Sequence, residues 1–260
     1  MPPAFAQADA GDDERLNFAF ASQLGSGIYD VSGRLVQIYR IPFSVPVRDT
    51  EERSPGIRVS LPICLGLYDL PPEDPEQTGM PEDVSTVSFV PGVALEFPVL
   101  RNWLLQPFVE LGMAWDLNGP GDAYVYTLGV RSLATFRARG LGLLLGNRLV
   151  YVGEHTPGEE YDEDFATLET GFEVRCPLAL AVKGHKLNWG PYVMSYLYLE
   201  PTKVWLEETP LEVGSQYELG ITVGPKERVD LWRFEVPRLG LGYRFGDSVS
   251  AVRLVFGAAF

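Results

Sequence analysis

The sequence predicts an all-β chain that closes into a single antiparallel barrel of about twelve strands. Three observations carry this. From Leu16 onward the hydrophobic period is two rather than 3.6. The alternation recurs in segments of roughly 9 to 14 residues separated by turn signals. Within the segments, alternate residues sort into one bulky apolar face and one face that is small or charged.

The segments lie near 16–28, 35–47, 57–68, 84–98, 104–116, 123–137, 141–152, 165–177, 187–199, 212–223, 234–245 and 249–260. Their even number returns the chain to the side on which it began, as a bacterial outer-membrane barrel requires. The apolar face holds Ile57, Val59, Leu61, Ile63, Leu65 and Leu67 in one segment, then Leu105, Val109, Leu111, Met113 and Trp115, then Tyr124, Tyr126, Leu128, Val130, Ala134 and Phe136. Opposite them stand Arg58, Gln106, Glu110, Thr127, Arg131 and Thr135, and later Glu169, Glu173, Arg175, Gln216 and Glu218, interleaved with Gly and Ser.

A soluble barrel or sandwich that binds a ligand would turn the apolar face inward, whereas an outer-membrane barrel turns it to lipid and keeps the charges in its lumen. The second arrangement is predicted. The polar face is rich in Gly, Ala and Ser between Arg and Glu, which suits a confined interior. Trp103, Trp115, Tyr124, Tyr126, Tyr151, Trp189 and Tyr243 gather near strand ends, where amphipathic rings lie at lipid headgroups.

Loop lengths agree with that orientation. With both termini on the periplasmic side, the external connections include the acid-rich stretches Pro71 to Asp83 and Glu154 to Asp164, with Asn118 to Asp122 and Glu200 to Leu211. The periplasmic turns at Arg101-Asn102, Ala138 to Gly140 and Lys183 to Lys186 are short; the exceptions are an extended turn at Arg48 to Gly56 and a brief first external loop around Asp30 to Gly33. Acidic loops of this kind are solvated faces or share divalent cations with lipopolysaccharide phosphates; outer-membrane lipids and lipopolysaccharide are the expected partners.

Composition narrows the function classes. The 260 residues carry 21 Lys+Arg against 35 Asp+Glu, a formal charge of -14, which is wrong for a phosphate-backbone surface, so no nucleic-acid partner is expected. Cys64 and Cys176 have no zinc-ligand spacing, and neither metal nor cofactor is expected. No uncharged run reaches the roughly 18 residues of a membrane helix. Residues 1–15 read as a signal-peptide remnant, with Ala6 and Ala8 as the small pair of a cleavage site, followed by a disordered acidic leader; residues 16–260 are the barrel.

The final segment, 249–260, ends on an aromatic residue. Phe260, Phe256 and Leu254 fall on the apolar face and Arg253 on the other. It resembles the C-terminal recognition strand of bacterial outer-membrane proteins, which implies strand addition to the barrel-assembly machinery during insertion. Together with the preceding hairpin, 239–247, and the strand count, it is similar to the translocator barrels of autotransporters, in particular solitary autotransporter-like barrels without a passenger. With few residues before Leu16, no long helix threading the lumen is expected.

No phosphate-binding glycine loop or nucleophile elbow occurs, and a non-enzymatic barrel is expected. The enzymatic alternative is an outer-membrane hydrolase built on His155 beside Glu154, Glu159, Glu160, Asp162 and Asp164 on an external loop; His185 lies in a turn between lysines. The candidate lumen residues are Arg40, Arg58, Arg131, Arg148, Arg175, Arg244 and Arg253 with Glu96, Glu110, Glu169, Glu173 and Glu218. Spaced along a pore they would set ion selectivity; paired, they would brace and partly close the barrel, leaving a narrow channel at most.

Overall fold

A computed structural model describes residues 18–31, 34–51, 54–68, 84–117, 122–158, 163–204, 211–227, 229–231, 234–235, 237–247 and 249–257. In chain order the elements are helix α1 (Phe18–Gln23), then β1 (Gly27–Val31), β2 (Arg34–Ile41), β3 (Ser44–Arg48), β4 (Gly56–Ser60), β5 (Ile63–Tyr68), β6 (Thr86–Phe89), β7 (Gly92–Leu100) and β8 (Trp103–Asp116). They continue with β9 (Ala123–Ala138), β10 (Leu141–His155), β11 (Glu163–Val182), β12 (His185–Val204), β13 (Leu211–Pro225), β14 (Asp230–Leu231), β15 (Phe234–Glu235), β16 (Leu239–Gly246) and β17 (Val249–Phe256).

The strands form twelve staves of one closed antiparallel barrel. Three staves are broken into two runs each: β2 with β3, β4 with β5, and β6 with β7. Pro42, Pro62 and Pro91 stand in the three gaps. Proline has no N–H for the ladder, so each interrupts its stave. Two hydrogen bonds tie the gaps to neighbouring staves, Leu61 N to Phe43 O at 2.8 Å and Leu111 N to Pro91 O at 2.9 Å. Closure comes from β8 pairing with β6 and β7 on one side and β9 on the other, and from β1 pairing with β17.

Two-residue turns join β9 to β10 through Arg139-Gly140 and β11 to β12 through Lys183-Gly184. All four residues have positive φ, 50° and 82° in the first turn and 51° and 83° in the second. These are the primed turns whose twist matches a right-twisted hairpin, with glycine where the left-handed conformation is cheapest.

Two expectations are corrected. The segment 16–28 is not a strand throughout, because α1 occupies Phe18–Gln23 and the first stave is only Gly27–Val31. Phe18, Ala19, Phe20 and Ser22 are all buried. A wall strand would show alternate residues to the exterior, whereas this segment lies inside the barrel and has no exterior side. The apolar alternation of Phe18 and Phe20 imitates a strand. The segment 234–245 also begins its stave late, at Leu239; Asp230–Leu231 pairs with Phe234–Glu235 in a separate small hairpin. Pro237, just upstream of the stave, cannot donate to a ladder.

The bulky side of the wall faces out. Leu111 is 64% exposed, Leu128 61% and Leu61 37%, while Glu173 and Glu218 are 0% exposed inside. That is the reverse of a soluble barrel, whose centre would hold the leucines. Aromatic rings do occupy one end of the lumen, where Phe20 of α1 packs with Phe165 and Tyr198. This is the end that carries the longer connections.

Candidate functional site: the charged barrel interior

Period-two geometry puts every second side chain of a stave in the lumen, and the twelve charged residues singled out above occupy such inward positions. Most are gathered into four groups. In the first, Glu218 of β13 accepts hydrogen bonds from Tyr192 at 2.6 Å and Tyr196 at 2.8 Å and is ion-paired with Arg253 of β17. The Arg244 guanidinium lies 3.8 Å from the centre of the Tyr196 ring and donates to the Tyr198 hydroxyl at 3.2 Å.

Glu173 is the centre of the second group. Arg175 reaches it at 3.0 Å and Arg238 at 3.4 Å, and the Thr222 hydroxyl donates to it at 2.5 Å. Arg238 also donates to Asn188. On the opposite wall Glu96 takes Arg58 at 2.8 Å, Thr50 at 2.6 Å and Gln106 at 2.9 Å. Charged hydrogen bonds of this kind, linking separate staves, brace a lumen against collapse.

The fourth group ties the wall to α1. Arg148 is ion-paired with Glu169 at 2.6 Å and donates to Gln23 at 2.6 Å. Arg40 donates to the carbonyl of Ser22, and the backbone N–H of Ala19 donates to Glu154 at 2.5 Å. Below the last turn of α1 a cavity of about 240 Å³ is lined by Arg40, Glu110, Arg131, Arg148, Glu169 and Arg253 among others.

His155, expected on a loop, ends β10 opposite Tyr124, because the β9–β10 ladder runs on to that residue. It is exposed, as is His185 at the start of β12. Leu254 and Phe256 point outward from β17, which is paired on both sides, with β16 and β1; Phe260 lies outside the described residues. Residues 1–15 and most of the acidic connections also lie outside them. Among the described residues no group of three or more His, Cys, Asp or Glu side chains is placed to hold a metal ion.

Several interior residues escaped the sequence reading. Tyr192, Tyr196 and Tyr198 are buried lumen residues, and only their shared parity with Asn188 and Gly190 marks them as inward. Phe108 shares its parity with Gln106 and Glu110 but is apolar, so nothing in its chemistry announced a lumenal place.

Fold and interior together define the class: a closed twelve-stranded antiparallel β-barrel, apolar outside and charged inside, with the short helix α1 in its lumen. Among solved structures, the β domain of the Bordetella autotransporter BrkA is similar over 89% of this chain and 93% of that chain, at 10% identity and a TM-score of 0.47. No family model matches the sequence, and no curated protein matches it.

Proposed function

We propose that this chain is a non-enzymatic barrel of a bacterial outer membrane, with an Arg/Glu-lined lumen that α1 and the ion-pair groups reduce to a narrow pore at most. The observation that carries the reading is the inversion of the wall. Val109, Leu111, Leu128, Leu219 and Leu241 face outward around the ring while Glu173, Glu218 and Arg244 are buried within it. A continuous apolar exterior on this scale needs a cover, and hydrocarbon is the solvent for which a closed barrel, with no free edge, is suited. Tyr124, Tyr151, Trp103 and Tyr243 stand on the same outer surface, as an interfacial aromatic belt does.

Lipid and lipopolysaccharide are the partners such a surface would meet, and the alternating last stave, with Leu254 and Phe256 outward, supports reading by the barrel-assembly machinery before the ring closes. Reconstitution into planar bilayers tests the reading. A folded barrel that inserts and passes a small, steady current, or none, supports it; a large open-pore conductance rejects the occluded lumen. Failure to enter liposomes rejects the membrane barrel itself.

A further inference from the structure

Arg131 of β9 and Arg148 of β10 are directly opposed in register, both turned into the lumen. Their guanidinium carbons lie 5.5 and 5.3 Å from the centre of the Phe108 ring. Opposed like charges on one face of an antiparallel pair repel, and the repulsion grows where water is excluded. Phe108 attracts both through its ring face, but a ring leaves the N–H edges of a guanidinium unsatisfied.

The surroundings offset these charges only in part, since Arg148 is paired with Glu169 and Arg253 with Glu218 but Arg131 and Arg148 still oppose each other. Four guanidinium groups and two carboxylates line the cavity, and one of the carboxylates, Glu169, is already engaged by Arg148. Arg40 spends a donor on a neutral carbonyl, that of Ser22. The Nε atoms of Arg131, Arg148 and Arg253 are buried and have no hydrogen-bond partner among the described residues. Buried donors without acceptors are costly, and the three arginines that carry them all line the one cavity.

We propose that this cavity is an oxyanion-binding site, which takes a phosphate or carboxylate group between Arg131 and Arg148 with Arg40 and Arg253 facing it. The planar fork of a guanidinium matches two oxygens of such a group. One bound oxyanion gives the guanidinium groups that line the cavity further acceptors and screens the opposed pair. At about 240 Å³ the space exceeds a bare phosphate ion, leaving room for water or for the organic part of an ester. Pro42, Val255 and Phe256 bound the same cavity, so it lies toward the barrel end where β17 finishes. The site rests on the folded interior, not on which membrane surrounds the barrel.

The test is isothermal titration of the detergent-folded full chain with sodium phosphate, and separately with sodium acetate, against a chloride background of constant ionic strength. Wild-type protein binds at least one of the two, and the stronger identifies phosphate or carboxylate as the natural chemistry. Arg131→Gln weakens binding by about tenfold or more, while Arg139→Gln, which removes the same charge from an exposed turn, leaves it unchanged. Arg131→Lys keeps the charge without the fork and gives an intermediate loss, which serves as the readout if Arg131→Gln does not fold. No binding by folded wild-type protein, or equal loss in Arg131→Gln and Arg139→Gln, overturns the proposal.

Discussion

Glu218 and Arg253 are ion-paired inside the barrel although their staves are not neighbours: β16 lies between them and presents Gly242 at that level. A side chain at Gly242 would run into both Glu218 and the Tyr192 hydroxyl. The missing Cβ is what lets the carboxylate reach across one stave to the next, and the contact links β12, β13 and β17 close to the seam where β1 closes the ring.

Glu218→Gln leaves Arg253 buried without its counter-charge, and removing one partner of a buried pair costs about 3–5 kcal/mol. The urea midpoint of the micelle-folded barrel falls accordingly. Replacing both partners, Glu218→Leu with Arg253→Met, recovers much of the loss because no lone charge remains. A midpoint unchanged by Glu218→Gln would mean that water reaches the pair.

Leu111 is the most exposed leucine of the wall. Leu111→Arg costs about 2–4 kcal/mol if the position lies near the bilayer midplane, measured by reversible unfolding from liposomes. In a barrel bathed in water the same change at an exposed site falls within about 0.5 kcal/mol of zero, so the size of the effect separates the two surroundings.

The seat of α1 is the aromatic cluster of Phe20 with Phe165 and Tyr198, at ring separations of 6.3 and 6.1 Å. Phe20→Asp places a charge in that cluster and unseats the helix. Single-channel conductance rises above the wild-type level while the barrel's strand content, read by circular dichroism, stays the same. An unchanged conductance would show that α1 does not obstruct the lumen.

Gly184 sits at φ 83° with open space around its Cα, so nothing but backbone preference opposes a side chain there. Gly184→Val costs about 1–2 kcal/mol of barrel stability from the left-handed conformation alone. The same change at Gly158, also at positive φ but in the longer β10–β11 connection rather than a two-residue turn, costs less because a longer connection can readjust its backbone. Equal losses would contradict the role given to the turn.

The wall was legible because outward-facing and lumen-facing residues differ in chemistry at every second position, as Leu128 against Thr127 or Leu219 against Glu218 make plain. The tight turns were legible too, since Lys183-Gly184 and Arg139-Gly140 announce themselves by glycine. What parity cannot show is a piece of chain lying inside the ring. Phe18 and Phe20 alternate as wall residues do, yet Ala19 between them is also buried, and only three dimensions reveal that α1 lies within the ring. Lumenal aromatics hid for a related reason. Tyr192, Tyr196 and Tyr198 look like belt residues until their hydroxyls are seen to end on Glu218 and near Arg244. Which arginine meets which glutamate depends on the register of β13 with β16 and β17, a relation between segments that no single segment encodes.

The inversion of the wall is tested most directly by spin labels at positions 128 and 127 of liposome-reconstituted protein in which Cys64 and Cys176 are replaced by serine. A label on Leu128→Cys should relax strongly with oxygen, which dissolves in hydrocarbon, and weakly with a water-soluble nickel chelate; a label on Thr127→Cys should lose that oxygen preference. Strong nickel and weak oxygen relaxation at position 128 would place the apolar face in water and contradict the account.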